Sequence, residues 1–145
     1  KSLAQFFKTS DLVLVQHFIP TEYDWRIGIL DNKPIFACRY YMADNHWQIY
    51  HWNTPNGTIA GDTQAIPIAE VPEGVIKTAL KSTKLIGDGL YGVDIKSLDD
   101  KHYVIEVNDN PSIDQGLEDK LLGEQLYTQV MQVFLQRIRR KHGYA

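Results

Sequence analysis

Residues 89–114, GLYGVDIKSLDDKHYVIEVNDNPSID, restrict the fold of this chain more than any other stretch. Alternating side chains mark strands over 90–97 and 101–108, both rich in β-formers, with Leu98-Asp99-Asp100 as the turn between them. A turn centred near Asp100 sets Asp94 opposite Glu106 and Gly92 opposite Asn108. Asp94, Glu106 and Asn108 then share one face, while Val93, Ile95, Tyr103, Ile105 and Val107 share the other.

Carboxylates that face each other across a strand pair sit about 5 Å apart at Cβ. At an effective dielectric of about 20 their repulsion is on the order of 3 kcal/mol. Solvent, a neighbouring Lys or Arg, one raised pKa or a bound cation would offset it. Three oxygen donors with no nitrogen or sulfur among them suit a hard ion, and a carboxylate pair with open positions is the Mg²⁺ style of site. Gly92 would leave space beside Asn108 for a ligand. A solvated acidic face on an amphipathic hairpin fits the same pattern.

The string Glu106-Val107-Asn108-Asp109-Asn110-Pro111, preceded by Gly92-Val93-Asp94-Ile95 and a short hairpin turn, resembles the metal-binding signature of the ATP-grasp superfamily. Within it the likeness is to ligases related to glutathione synthase and to the ribosomal-protein glutamate ligase RimK. The resemblance implies an α+β fold, the C-terminal ATP-grasp subdomain: an antiparallel sheet of hairpins with helices packed on one face. It implies ATP and Mg²⁺ or Mn²⁺ as cofactors, with Asp94, Glu106 and Asn108 on the metals and Asn110 near the reacting phosphate. The implied activity is ATP-dependent ligation of a carboxylate to an amine or thiol through an acyl-phosphate. A nucleotide-binding or scaffold module without ligation is the alternative, favoured by the departure at 45–53 described below.

Earlier in the chain, Leu12-Val13-Leu14-Val15 reads as a short buried strand after the Thr9-Ser10-Asp11 turn cluster. It runs into Gln16, His17, Phe18 and Ile19, which match the family's hinge, whose backbone bonds the adenine; His17 stands where the family often has glutamate. Residues 24–30 alternate as a half-buried strand with Asp24, Arg26 and Gly28 on one face, and Asp31-Asn32-Lys33-Pro34 turns the chain into a second strand over 35–42. The resemblance makes Arg26, and Arg39 on the following strand, holders of phosphate or acyl-phosphate oxygens, a role that suits a permanently charged fork. A structural salt bridge from Asp24 to either arginine is the plainer reading of the same residues.

Residues 45–53 carry Trp47, Tyr50 and Trp52 with His46 and His51, where RimK has an Arg and an Asn. No third nitrogen or sulfur ligand at zinc spacing accompanies the two histidines. The aromatics are expected to pack in the core or to line an acceptor pocket. Residues 54–62 read as a loop, 71–85 as a helix burying Val75, Ile76, Ala79 and Leu80, and 117–141 as a final helix. That last helix sets Leu122, Leu126, Val130, Val133, Phe134 and Ile138 toward the sheet, and Gly143 stops it.

The 145 residues, 43% of them hydrophobic, suit one domain, 1–145. The entry on Lys1-Ser2-Leu3 reads as the tail of a helix, so a fragment is expected, whose earlier part would bring a phosphate-binding lysine and a glycine-rich loop. A net charge of −3 and pI near 5.9 argue against nucleic acid as the main partner. No apolar run approaches the roughly 20 residues that span a bilayer. The lone Cys38 fits a reducing cytoplasm. Expected partners are a carboxylate and an amine, on a small molecule, a peptide or a protein; association into a homo-oligomer is compatible with the sequence.

Overall fold

The structure is a computed structural model that describes residues 3–55 and 57–143. Lys1, Ser2 and Asn56, which enter the expectations for the opening helix and the 54–62 loop, lie outside the described residues. In chain order the elements are α1 (Leu3–Phe6), β1 (Tyr23–Leu30), β2 (Lys33–Tyr41), β3 (Tyr50–Thr54), β4 (Gly57–Ala60), β5 (Thr63–Ala65), a 3-10 turn (Ile68–Glu70), α2 (Glu73–Lys84), β6 (Leu90–Leu98), β7 (Lys101–Asn108) and α3 (Glu124–His142). Five strands form one antiparallel sheet in the order β5-β2-β1-β6-β7, and β3 pairs with β4 apart from it. The α+β class expected from the sequence is the one observed.

Both principal hairpins close through two residues of positive φ, Asp31 (51°) with Asn32 (58°) and Asp99 (49°) with Asp100 (61°). Aspartate and asparagine tolerate the left-handed region, and such turns match the right-handed twist of the strands they join.

Trp25, Ile27 and Ile29 of β1 and Val93 and Ile95 of β6 are buried on one face against Val75 and Ala79 of α2, with Ile76 and Leu80 half-buried beside them. Each fully buried side chain of this kind contributes about 1.5–3 kcal/mol. α2 has Glu73 in its first turn and Lys81 and Lys84 in its last, complementing its dipole.

The other face carries Phe36, Cys38 and Tyr40, covered by Leu126 of α3 with Leu122, Val130 and Val133 half-buried. The helices therefore lie on both faces rather than one. The reason is legible in β2, where Ile35, Phe36, Ala37 and Cys38 are all buried, so both faces need cover. α3 begins at Glu124, after a run of turns, rather than at 117. It is about 28 Å long, and it outruns its contact: Phe134 and Ile138, expected on the sheet, are exposed. Gly143 ends it in the left-handed conformation, as expected.

Two further expectations are corrected. Leu12, Leu14 and Val15 form no strand and are 85%, 84% and 70% exposed, because no neighbouring strand among the described residues pairs with them. Residues 57–60, expected in a loop, form β4. Among the described residues no helix is long and apolar enough to cross a membrane.

Candidate active site

The β6–β7 register sets Gly92 against Asn108 and Asp94 against Glu106, as the alternation of the sequence requires. β1 adds a third row, with Arg26 opposite Asp94. Between Asp94 and Ile95 the β6–β7 ladder slips by one residue, so Ile95 faces Val104 and Lys96 faces Tyr103. This bulge brings Tyr103 to the carboxylate face, not to the face of Ile95 and Val107 where simple alternation would put it.

Arg26 grips Asp94 with both arms of its fork: Nη2 donates to Oδ2 at 2.8 Å, and Nε donates to Oδ1. The guanidinium also lies over the Tyr40 ring, 5.3 Å from its centroid. Burial works against the Arg26 charge, yet the Asp94 hydrogen bonds and charge prevail and raise its pKa above the ordinary arginine value. Burial also pushes the Asp94 carboxyl up, and the charges of Glu106 and Asp24 add to this; Arg26 offsets it only in part. Gly92 does not open space for a ligand, as the sequence reading expected. A Cβ there would meet Pro111 Cβ at 2.8 Å and Arg26 Cδ at 3.3 Å, so the missing side chain makes room first for Pro111 and then for the arginine stem.

A second pair lies beside the first. Lys96 Nζ donates to Asp24 Oδ1 at 2.6 Å and to Thr21 Oγ1 at 2.8 Å. Asp24 thus pairs with Lys96 rather than with either arginine. Asn108 Oδ1 accepts the Asn110 N–H at 2.9 Å, folding the strand end into a local turn, with Asn110 exposed. Arg39 is not part of this constellation. It faces Trp25 across β1–β2, and so lies on the α2 face, its guanidinium 4.8 Å from the ring centroids of both Tyr23 and Trp25. Arg26 pairs with Cys38, which leaves Arg39 with the opposite parity.

Asp94, Lys96 and Glu106 open into a cleft of about 1050 Å³. Gln16, His17, Phe18 and Ile19 line it, as do Trp47, Tyr50 and Trp52. The hinge-like segment and the carboxylates, far apart in sequence, therefore share one cavity. Arg26, Asn108 and Asn110 do not line it, although Arg26 is bonded to Asp94, which does. Phe18 meets Trp47 edge-on with ring centroids 6.1 Å apart, and His46 stacks on His51 at 4.2 Å and 5°.

Among the described residues no group of three or more His, Cys, Asp or Glu side chains is gathered to hold a metal. The candidate cation set is instead two carboxylates and one amide. It fits a hard divalent cation on one observation: burial and Glu106 both disfavour the Asp94 charge, and a cation would relieve both. Arg26 fills one edge of the Asp94 carboxylate, and each oxygen keeps a second lone pair.

Sequence reasoning missed Lys96, although it lies two residues from Asp94 on the same face. It also missed Glu118, 2% exposed, which accepts from the Tyr40 hydroxyl through Oε1 and from the Asp114 N–H at 2.8 Å through Oε2. Tyr40 and Glu118 are 78 residues apart, and no local pattern announces their contact.

No family model matches the chain, and no curated protein matches it. Among solved structures it is similar to the D-alanine–D-alanine ligase of Bacillus anthracis complexed with ATP, at 21% identity and a TM-score of 0.59, over 84% of this chain and 42% of that one. It is also similar to the ATP-grasp ligase PsnB complexed with a phosphomimetic variant of its minimal precursor, Mg and ADP, at 22% identity and a TM-score of 0.52, over 79% of this chain and 34% of that one. The chain thus spans less than half the length of either ligase. Over most of its own length, it has the fold of the ATP-grasp ligases.

Proposed function

We propose that this chain is the catalytic part of an ATP-dependent ligase of the RimK and glutathione synthase type, joining a carboxylate to an amine or thiol. The observation that carries the reading is the facing pair Asp94 and Glu106 in one cleft with the segment Gln16 to Ile19. The backbone of Gln16, His17, Phe18 and Ile19 would hold the adenine, and Asp94, Glu106 and Asn108 would hold Mg²⁺ or Mn²⁺. When bound, the metal neutralises negative charge on the nucleotide phosphates.

In this reaction the γ-phosphoryl group passes to the acid, and the amine nitrogen then displaces phosphate, giving an amide, ADP, phosphate and a proton. Arg26 favours the ionised form of Asp94 and fixes its direction, and its own position beside Asp94 gives it a second role toward phosphate or acyl-phosphate oxygens. Asn110, exposed at the strand end, would approach the reacting phosphate. Arg39, on the opposite face, is left to packing. The remainder of the ligase, with its lysine and glycine-rich loop, would be supplied by further chain of the same protein, and the free, buried Cys38 suits the reducing cytoplasm.

Melting the protein with and without Mn²⁺ and ADP tests this, because a ligand selective for the folded state raises the midpoint. At a hundred times Kd the gain is about 2.7 kcal/mol. It should disappear in Glu106→Gln, whose fold is unchanged because Glu106 is exposed. A full shift in that variant would sink the assignment of Glu106.

A further inference from the structure

Two of the three tryptophans stand at the cleft. Trp47 and Trp52 are 59% and 57% exposed, while Trp25 is 2% exposed in the core. Tyr50 and Trp52 lie two residues apart on β3, with ring centroids 5.3 Å apart and planes 38° from each other. Trp47 is braced by the edge of Phe18. These rings form one wall of the cleft, and the rows of Asp24, Asp94 and Glu106 form another. At about 1050 Å³ the cavity is at the top of the usual range for a single small ligand, roughly 300–1,000 Å³, and its two walls differ in chemistry.

Charge decides which kind of ligand the aromatic wall serves. Among the described residues the cations at and beside the cleft are engaged, Lys96 by Asp24 and Arg26 by Asp94. A carboxylate ligand finds no uncommitted cation there. An ammonium group finds ring faces, which attract it. The half-exposed indoles meanwhile offer apolar surface to whatever body carries the charge.

We infer that the wall of Trp47, Tyr50 and Trp52 is the acceptor subsite, and that it takes an amine borne on an aromatic or bulky apolar body. This rests on the ligase reading above, and it narrows the acceptor to one chemical class. Small polar amines gain nothing from the wall, and acids find no uncommitted cation beside it.

Titration of the protein with L-phenylalaninamide, glycinamide and 3-phenylpropionate, followed by tryptophan fluorescence and calorimetry, tests the inference. L-Phenylalaninamide should bind at least tenfold more tightly than either of the others. The preference should fall below threefold in Trp52→Ala, checked beside Trp47→Ala. Equal binding of the two amides, tighter binding of the acid, no binding of any amine, or a preference kept in both variants overturns it. Mn²⁺ with ADP is titrated separately. Nucleotide binding without amine preference removes only the acceptor assignment, whereas amine preference without nucleotide binding removes the ligase reading and leaves an amine site.

Discussion

Replacing Tyr40 by phenylalanine deletes one oxygen from a chain of contacts that runs from Glu118 through Tyr40 and Arg26 to Asp94. Glu118 is 2% exposed and has two donors, the Tyr40 hydroxyl and the Asp114 N–H. Without the hydroxyl, Oε1 is left buried and unpaired. A hydrogen bond to a charged group contributes about 1.5–3 kcal/mol, and abandoning a buried acceptor costs a similar amount. The ring and its stacking on Arg26 survive the change, so about 2 kcal/mol is expected from the hydrogen bond alone, a sizeable part of the ~5–15 kcal/mol that holds a domain together.

Urea unfolding should lower the midpoint of Tyr40→Phe by about 1 M at an unchanged slope. A double-mutant cycle with Glu118→Gln should return a coupling of about 1 kcal/mol or more. The pH dependence has a definite sign. Burial and then the Glu118 carboxylate raise the Tyr40 pKa, so the folded state holds this proton more tightly than the unfolded chain does. The resulting stability is complete below about pH 10, the ordinary tyrosine value, and is lost as pH rises above it. Tyr40→Phe should lack that alkaline loss. A cost under 0.5 kcal/mol, on the order of the usual scatter for surface changes, or an additive cycle would refute the account.

Two further outcomes follow from the buried groups. Because burial, aided by Glu106, holds the Asp94 carboxyl above the ordinary aspartate range, Mn²⁺ affinity should climb as pH rises through that elevated range; calorimetry at a series of acidic to neutral pH values reads it, and a flat profile contradicts it. Burial, and secondarily the Glu118 charge, push the Cys38 thiol up to about 12, so thiol reagents should label it only when the protein unfolds; rapid labelling of the native protein would mean the sheet face under α3 is open.

The hairpin at the heart of the site was legible because two local signals agree. Alternation fixes which side chains share a face, and paired Asp residues fix where the chain reverses. What alternation cannot carry is a change of phase, and the bulges after Asp94 and at Gly28 are such changes. Tyr103 was misplaced for that reason, and Arg39 because its parity depends on a cross-strand register that nothing local dictates. The run from Leu12 to Val15 reads as a strand by composition, but a strand also needs a neighbour, and composition is blind to one. Glu118 and Tyr40 meet only through the folding of α3 and its preceding turns onto β2, so their contact belongs to tertiary structure alone.

The bulge after Asp94 also bears on how such a chain can change over generations. Inserting one residue between Asp94 and Glu106 in a regular ladder would rotate Glu106 and Asn108 toward α2 and carry Val107 to the cleft. Because the slip is already accommodated next to Asp94, the outer hairpin from Lys96 to Tyr103 runs in a phase of its own. Its tip at Asp99 and Asp100 can lengthen, shorten or swap turn types while the ladder on the inner side keeps Asp94 against Glu106. The bulge acts as a buffer between the part of the hairpin that is free to drift and the part that is not.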